Sequence, residues 1–438
     1  MNATEYKIYH QKFMFNNHGS TAFHTFCCIM YTVQCCLFTS ILRMDQRGKY
    51  LQYLYEYIII ILFLIAANTF LAHHIYLLNI TIFLPLAYEI YGYWCYIDVT
   101  KKLEQPNDFK KIQTITTVRG LTYLMTVFCI LAVDFQGFPR NLAKTENYGY
   151  SLMDTGVGLF VLISGLVHKD VRQKGIGYVL KSNAQFVSIL FCLGVGRYVS
   201  VKQLDYHEHV TEYGVHWNFF FTIAVCKLLS SLLLYFSDKR LLLSIVTLAV
   251  HEFLLYYGLE GWVFSDIPRT DLISANREGI ASSLGYVSMY LFAAYFQTVF
   301  NDKSSQRSEV LKKLMISVAI LWTFTCILPD YRTTSRTLAN AGYCLYIAAI
   351  LWSIMMVTYF VEVIYDDFEA PMILSDINAN GLPCFLVANL ITGAINLSVR
   401  TLLVSTELTF LILNVYMVSL LTFMVLLKGL QRNKTKTD

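Results

Sequence analysis

The most chemically suggestive stretch of the sequence is 129–158, CILAVDFQGFPRNLAKTENYGYSLMDTGVG, in which an acid follows the end of an apolar run. Asp134 ends that run, and Pro139 turns the chain back so that Lys144 could meet it. Burial raises the pKa of a carboxyl group, whereas a nearby cation keeps the group ionised. Such a carboxylate can act as a general base toward a hydroxyl, and an ammonium can stabilise an oxyanion or a phosphate. A buried ion pair that only ties loop to helix is the alternative.

A second suggestive segment is 211–218, TEYGVHWN, which places a histidine, a tryptophan and an amide at the mouth of an apolar span. His216 is a candidate acid or base because its ordinary pKa lies near neutrality. Asn218 follows it at the same mouth. A hydrogen-bonded residue at the membrane interface is the simpler alternative for such a histidine.

Two arginine-containing segments follow, RTDLISANREG (269–279) and DYRTTSRTLAN (330–340). Asn276 and Arg277 lead into a predicted helix start, which is a natural place for anion contacts. Arg336 is one of two arginines four residues apart, and a guanidinium suits bidentate bonds to phosphate. The alternatives are a capping and salt-bridge cluster for the first segment and snorkelling to lipid headgroups for the second.

Amides are concentrated in NGLPCFLVANLITGAINLS (380–398), inside a late apolar span. Asn389 and Asn396 are seven residues apart and therefore share one helix face. Such side chains often form hydrogen bonds between neighbouring helices. Lining a headgroup pocket is the alternative.

These segments, together and in this order, resemble the GPI inositol acyltransferase family, which includes the animal PIG-W and fungal GPI-anchored-wall-transfer proteins. The matching stretches are ILAVDFQGFPRNLAKTENYGYSLMDTGVG (130–158), EYGVHWNFFFT (212–222), LISANREGIASSLGYVSMYL (272–291), SRTLANAGY (335–343), NGLPCFLVANLITGAINLS (380–398) and, more weakly, NNHGST (16–21). In the first stretch, Gln136-Gly137 and Asn141 depart from the family pattern. The charged positions that keep it are Asp134, Arg140, Lys144, Glu146 and Asp154.

The resemblance implies an enzyme of the endoplasmic reticulum that acts early in GPI-anchor synthesis. Such proteins transfer a fatty acyl chain, typically palmitoyl from palmitoyl-CoA, to the inositol 2-hydroxyl of glucosaminyl-phosphatidylinositol. Acyl-CoA is then a co-substrate, and neither a cofactor nor a metal is expected.

Residue roles follow from the resemblance as hypotheses. Asp134 is the base, and Lys144 orients it and stabilises developing charge. The candidates for lipid or CoA phosphates are Arg140, Arg277 and Arg336. The candidates for the inositol pocket are His216, Asn218 and Asn276. The remaining members of the predicted binding set are Glu146, Asp154, Asn389 and Asn396.

Two other functions are compatible with these residues. One is a lipid transporter or scramblase with an amide-lined groove, and the other is a membrane O-acyltransferase that acts on another polyol. Several other chemistries lack their motifs. The sequence has no DHHC tetrapeptide, no HxxxxD pair, and no GxSxG, GxxxxGK[ST] or HExxH. Its 11 cysteines form no CxxC pair, which argues against a disulfide framework or a zinc site.

The composition indicates which elements must position these residues. Of the 438 residues, 56% are hydrophobic and 15% are charged, whereas soluble domains are about 25% charged. With Gly 22 and Pro 7, the chain is neither collagen-like nor disordered. The net charge of +4 is small and scattered, so no nucleic-acid partner is expected. The sequence predicts one all-α domain over 1–438, a polytopic transmembrane helical bundle surrounded by membrane lipids.

About thirteen membrane spans are predicted from apolar runs of sufficient length. They are 22–42, 51–71, 75–97, 115–133, 153–167, 180–200, 215–236, 240–258, 280–299, 310–328, 339–360, 381–399 and 408–427. The fifth, 153–167, is short and contains glycine, so tilt, a break or burial inside the bundle is expected there.

The distribution of Lys and Arg predicts the orientation. If the C-terminus is cytosolic, the cytosolic loops hold roughly twice as many basic residues as the luminal ones. Segment 1–21 is then luminal, and the basic tail 428–438 is cytosolic. The loop 361–380 is an exception to this charge distribution. It belongs to the cytosolic set, yet it contains acids and neither Lys nor Arg.

The tail also bears on localisation. Lys434 and Lys436 lie close to the end of the chain and match a dilysine signal for retrieval to the endoplasmic reticulum. A basic juxtamembrane tail attracted to anionic lipid is the alternative.

Overall fold

The computed structural model describes five ranges of the chain, namely 3–43, 48–107, 112–170, 175–203 and 213–437. Regular structure in these ranges is helical, and β-type pairing there is confined to isolated bridges. Helices suit a bilayer because each satisfies its own backbone hydrogen bonds. The predicted all-α class is confirmed.

Nineteen α-helices occur in the described ranges. They are α1 (Ala3–Met14), α2 (Ala22–Ile41), α3 (Lys49–Glu56), α4 (Phe63–Ala67), α5 (Ile75–Trp94), α6 (Val99–Glu104), α7 (Gln113–Ala132), α8 (Thr155–Leu166), α9 (Ile176–Gln203), α10 (Phe219–Phe236), α11 (Arg240–Leu254), α12 (Glu260–Val263), α13 (Leu272–Ala275), α14 (Arg277–Asn301), α15 (Arg307–Ile327), α16 (Ala341–Ile364), α17 (Met372–Ala379), α18 (Gly381–Ser398) and α19 (Thr406–Thr437). Two π-helical segments, Tyr57–Leu62 and Leu255–Leu259, join α3 to α4 and α11 to α12.

Within these ranges, 12 helical stretches are long and apolar enough to cross a membrane. They are Ala22–Ile41, Lys49–Ala67, Ala72–Trp94, Gln113–Ala132, Ile176–Tyr198, Phe219–Phe236, Arg240–Val263, Arg277–Asn301, Arg307–Asp330, Ala341–Ile364, Gly381–Ser398 and Thr406–Gln431. Each overlaps one predicted span, so the sequence pattern located all of them.

The remaining predicted span, 153–167, corresponds to α8, which has only 12 residues. Nearly all of its side chains are buried. Gly165 packs so closely on α14 that a Cβ added there would lie 2.4 Å from the carbonyl oxygen of Tyr290. Just beyond α8, Nδ1 of His168 lies 2.9 Å from the Tyr290 hydroxyl. The fifth segment is therefore buried inside the bundle.

Contacts between the connecting segments divide them between two ends of the bundle. At one end, which we call the motif end, segment 16–21 contacts 143–150, and Gly149 bonds Thr334. At the other, which we call the opposite end, the Asn107 N–H donates to Ser305. The chain passes from one end to the other at each successive long helix and at α8. Consequently α1 lies at the motif end and the last turns of α19 at the opposite end.

The acidic loop 361–380 lies at the opposite end, together with the basic loops. Its acids form three ion pairs across the bundle end: Glu369 with Arg43, Asp366 with Lys102, and Asp376 with Lys428. Glu362 accepts hydrogen bonds from the N–H groups of Gln113 (2.7 Å) and Thr114 (2.8 Å), and so caps α7. Neighbouring segments thus supply the positive charge that this loop lacks.

The most buried membrane-length helices are α2, α7, α14 and α16, whereas α5 and α11 are among the least buried. One apolar core extends from Cys27 in α2 to Met424 in α19. The segments that carry the motif residues join these central helices. Their positions are consequently fixed by the core rather than by the bundle surface.

Candidate active site

Asp134 lies in a tight turn directly after α7, which ends at Ala132. The Asp134 N–H donates to the Leu131 carbonyl over 3.2 Å. Phe135 and Phe138 are buried on either side of the turn and anchor it in the core. The Asp134 side chain is only 4% exposed, so its carboxyl group is held in a fixed and largely apolar setting.

An amide from a distant part of the chain holds this carboxylate. Nδ2 of Asn396, near the end of α18, donates to Oδ2 of Asp134 over 2.7 Å. From the described residues, the other carboxylate oxygen, Oδ1, accepts no hydrogen bond. One oxygen is thus fixed by the protein, and the other can accept a proton from a substrate hydroxyl.

Burial raises the pKa of Asp134 to about 6, against the opposing effects of the Asn396 hydrogen bond and the Lys144 charge. A carboxyl group with a pKa near neutrality can take up and release a proton at physiological pH. Lys144 is half-buried, and its charge reaches the carboxylate. The two predicted catalytic residues therefore interact, and Asn396 from the predicted binding set joins them directly.

The N-terminal NNHGST segment fixes the loop that carries Lys144. Nδ2 of Asn17 donates to the carbonyl groups of Ala143 (2.8 Å) and Lys144 (2.9 Å). The Glu146 carboxylate accepts from the N–H of Asn16 over 3.0 Å. Asn17 is thus a positioning residue absent from the predicted set. Its only sequence signal is its place in the weakest matching stretch.

Two glycines allow this close contact. Gly149 has a φ of +130°, and a Cβ there would lie 2.2 Å from the His18 carbonyl oxygen. Gly19 has a φ of +75°, and its added Cβ would lie 2.2 Å from the Tyr150 carbonyl oxygen. Glycine adopts such positive φ values without the penalty that a side chain imposes. The two backbones consequently approach more closely than any other residue type permits.

Asp154 and Arg336 form an ion pair in which the side chains are only 2% and 4% exposed. Nε of Arg336 lies 2.8 Å from Oδ1 of Asp154, and Oδ2 accepts from the Thr145 hydroxyl over 2.6 Å. The Arg336 guanidinium also lies over the Tyr213 ring, 5.6 Å from its centroid. Asp154 thus links Thr145, the residue after Lys144, to Arg336 in the segment before α16.

His216, Asn218 and Asn276 are brought together at the motif end. Oδ1 of Asn276 accepts from the N–H groups of His216 (2.8 Å) and Trp217 (2.9 Å). Oδ1 of Asn218 accepts from the N–H of Phe220 over 3.1 Å and caps α10. Both amides therefore shape the local backbone, and the half-buried His216 ring is the part of this group best placed to meet a ligand.

Arg277 is directed toward the loop that precedes α14. Its guanidinium donates to the carbonyl groups of Ile267 (3.2 Å) and Ser265. The neighbouring Glu278 is held by two bonds from Arg269, at 2.5 and 3.0 Å. Arg277 thus holds the loop before α14, and phosphate binding by its guanidinium stays a prediction.

Arg140 and Asn389 have different surroundings. Arg140 is on the same loop as Lys144. Its half-buried guanidinium lies 5.8 Å from the centroid of the Phe13 ring. Burial lowers the pKa of Arg140, and the Glu146 charge opposes that effect. Nδ2 of Asn389 donates to the Phe385 carbonyl of its own helix over 2.7 Å. Arg140 is thus near Lys144, whereas the Asn389 amide is used within α18.

Potential metal ligands are dispersed in the described ranges, where no three His, Cys, Asp or Glu side chains form a group that could hold an ion. The cysteines are free thiols, and most are buried.

The family model GWT1 matches residues 6–427 of the chain. The chain belongs to the GWT1 family. It is 31% identical to the phosphatidylinositol-glycan biosynthesis class W protein of Dictyostelium discoideum, over 94% of this chain and 95% of that protein. It is 32% identical to the glucosaminyl-phosphatidylinositol-acyltransferase PIGW of Bos taurus, over 78% and 80% of the two chains. It is 36% identical to GPI-anchored wall transfer protein 1 of Schizosaccharomyces pombe, over 69% of each chain.

The GWT1 match covers every segment that surrounds Asp134, including the N-terminal stretch that contains Asn17. It also covers the helices from α2 to most of α19 that hold these segments in place. The family resemblance inferred from the motifs is confirmed.

Proposed function

We propose that this GWT1-family chain transfers a fatty acyl chain from acyl-CoA to the inositol 2-hydroxyl of glucosaminyl-phosphatidylinositol, a step of GPI-anchor synthesis. Its bovine relative is named as an acyltransferase for glucosaminyl-phosphatidylinositol. The observation that carries the proposal is the buried Asp134 carboxylate, which is fixed by Asn396 and has a pKa raised to about 6. Palmitoyl-CoA is the proposed donor.

The proposed reaction assigns each proton and bond to a group of the site. Oδ1 of Asp134 takes the proton of the 2-hydroxyl while the hydroxyl oxygen attacks the thioester carbon. Lys144 stabilises the oxyanion that forms on the thioester oxygen. The C–S bond then breaks, the ester remains on inositol, and the proton passes from Asp134 to the departing CoA thiolate.

The binding roles are proposed according to the surroundings of each residue. Arg140 is the best candidate for a substrate phosphate, because it is half-buried and shares a loop with Lys144. His216 is the best candidate for the inositol pocket. We propose that Arg277, Asn218 and Asn276 act by shaping that pocket, because their side chains bond to backbone groups.

We propose residence in the endoplasmic reticulum, with the N-terminus luminal and the C-terminus cytosolic. The excess of Lys and Arg on the C-terminal side supports this orientation. Lys434 and Lys436, whose side chains lie outside the described residues, remain the predicted retrieval signal. The motif end would then face the lumen, whereas acyl-CoA is made in the cytosol. The donor must in that case reach through the bundle.

The test uses microsomes from cells that lack their own inositol acyltransferase, with and without this chain. Glucosaminyl-phosphatidylinositol and labelled palmitoyl-CoA are added, and a labelled product that resists PI-specific phospholipase C is sought. The native chain should form it. Asp134→Asn should reduce its formation by about a hundredfold to ten-thousandfold, because the amide cannot accept the proton.

Asp330→Asn is the matched control, since Asp330 is an exposed carboxylate outside the site. This variant should retain native turnover at equal abundance. Near-normal turnover of Asp134→Asn would refute the base assignment. No product from a well-inserted native chain would instead favour a transporter or another acceptor polyol.

A further inference from the structure

A cavity at the opposite end of the bundle, about 580 Å³ in volume, is unrelated to the site around Asp134. It lies where α2 and α16 end and where the last turns of α5 pass between them. Its distinctive lining residues are Tyr88, Glu89, Tyr91, Tyr93, Tyr96 and Tyr365. Ligand cavities in proteins span about 300 to 1,000 Å³, so the volume is suitable for a lipid headgroup.

Glu89 is the unusual member of this lining. It is half-buried in the last two turns of a helix of membrane-spanning length, and an ionisable side chain in such a helix is a candidate functional residue. Its backbone carbonyl accepts from the Tyr365 hydroxyl over 3.2 Å. Within the described ranges, however, no Lys, Arg or His pairs with its carboxylate, although Arg43 and Lys102 at the same end pair with Glu369 and Asp366. Among the residues that the structure describes, the carboxyl group in this cavity therefore has no cationic partner.

The rings around Glu89 have the chemistry that attracts a cation. Tyr93 and Tyr365 are stacked, with centroids 4.3 Å apart and planes at 14°, which gives the cavity a rigid aromatic wall. Tyr88, Tyr91 and Tyr96 are 75%, 68% and 91% exposed, so much of their ring surface is uncovered. Aromatic faces attract ammonium groups, and rings assembled around one site recognise quaternary ammonium in particular.

The position of the cavity matches the depth of lipid headgroups. Glu89 lies five residues before the end of α5, which is about 8 Å along the helix axis. Tyrosines are common at this depth as a general interfacial belt. A belt alone, however, does not require five tyrosines in one cavity around an unpaired carboxylate.

We infer that this cavity is a binding site for the choline headgroup of a phosphatidylcholine molecule, with the tyrosine rings around the trimethylammonium group and Glu89 as its counter-ion. A primary ammonium would need three hydrogen-bond acceptors, whereas trimethylammonium needs none. An aromatic wall with a single carboxylate favours the quaternary group. The site is independent of the proposed acyl transfer.

The test is native mass spectrometry of the purified full-length chain, titrated with phosphatidylcholine, phosphatidylethanolamine or phosphatidylglycerol of identical acyl chains. Phosphatidylcholine should bind most tightly. Glu89→Gln and Tyr93→Leu should each weaken its binding about tenfold, which is the usual size of a cation–π or counter-ion loss at a half-buried site. Glu89→Lys should reverse the order and favour phosphatidylglycerol.

Two matched controls test the location. Glu104→Gln removes an exposed acid at the same end, and Tyr256→Leu removes a tyrosine that is 79% exposed on another helix. Both should retain native preference. Equal binding of all three lipids by the native chain would leave only an interfacial belt and overturn the site. Equal binding of the ethanolamine and choline lipids would overturn the quaternary specificity, and an unchanged preference in Glu89→Gln would overturn the role of the carboxylate.

Discussion

At Asp134, the surroundings act on one carboxyl group in two directions. Burial favours the protonated form, whereas the Asn396 hydrogen bond and the Lys144 charge favour the ionised form. Burial prevails, and the pKa lies at about 6 rather than at the ordinary 3.8. A base must be ionised to accept a proton. The site is therefore expected to work above this pKa and to fail below it.

The pH dependence of acyl transfer follows from that value. Initial rates measured between pH 5 and 8 should be highest at neutral pH and should fall about tenfold per unit well below an apparent pKa of about 6. An acid limb centred near 4 would instead indicate an exposed carboxylate as the base.

Asn396→Ala should move the acid limb to higher pH, because the lost hydrogen bond favours the ionised form of Asp134. A hydrogen bond to a charged group contributes roughly 1.5–3 kcal/mol, which corresponds to about one to two pKa units, so transfer at pH 6.5 should fall about fourfold to fortyfold. Asn414→Ala is the control, since the Asn414 amide bonds to the Phe410 carbonyl and to the Tyr57 hydroxyl rather than to Asp134. The proposal fails if both variants keep the native pH profile.

The buried pair of Asp154 and Arg336 should contribute to stability. Removal of one partner from a buried ion pair costs about 3–5 kcal/mol, because the other charge is left uncompensated. Arg336→Leu should lower the free energy of unfolding by this amount in mixed-micelle titrations. Lys101→Ala breaks an exposed pair with Asp98 and should leave the free energy of unfolding nearly unchanged, because water and salt screen such a pair. Similar losses in both variants would contradict this ranking.

Among the elements, the turn at Gly149 joins the N-terminal segment to the Lys144 loop. Gly149→Ala combines a positive φ with a steric overlap against the His18 carbonyl, so it should detach segment 16–21. Gly175→Ala shares a positive φ, +81°, but no atom of the described ranges lies within 4 Å of the added Cβ. Limited proteolysis should cut after His18 faster in the first variant only. Transfer should also fall at least about tenfold there, because Lys144 loses its support.

The long helices were predictable because a bilayer imposes both length and apolar composition on them. α8 could be distinguished from the other spans by its short length and its glycines, which predicted a tilted, broken or buried segment, but the residues at which its helix begins and ends could not be predicted. Likewise, no pattern marked the π-helical segment Tyr57–Leu62, which lies within a uniformly apolar run. Local sequence thus predicts which segments are apolar but not where each helix ends inside a packed bundle.

At the scale of the whole molecule, the motifs could not predict which residues far apart in sequence form contacts. Asp134 and Asn396 are separated by 262 positions, and Asn17 and Ala143 by 126. Each residue is recognisable by its segment, but nothing in one sequence states which segments meet. The acidic loop 361–380 is another example. Its acids form ion pairs with Lys102 and Lys428, which are distant in sequence.

The orientation gives a prediction for the complete chain. A glycosylation sequon placed in the exposed loop 266–271 at the motif end should be modified in cells, because this end is predicted to be luminal. A sequon placed in loop 302–306 at the opposite end should remain unmodified. A glycosidase-sensitive mobility shift reports the result. The reverse pattern would place the motif end in the cytosol and remove the need for the donor to reach through the bundle.

The brevity of α8 has a consequence for the barrier between the two compartments. Its 12 residues span about 18 Å, whereas the hydrocarbon region of a bilayer is about 30 Å thick. Polar groups lie just beyond each end: Asp154 and Arg336 on one side, and His168 on the other. The helical apolar layer between these polar groups is therefore only about three-fifths as thick as the hydrocarbon region that the neighbouring long helices cross.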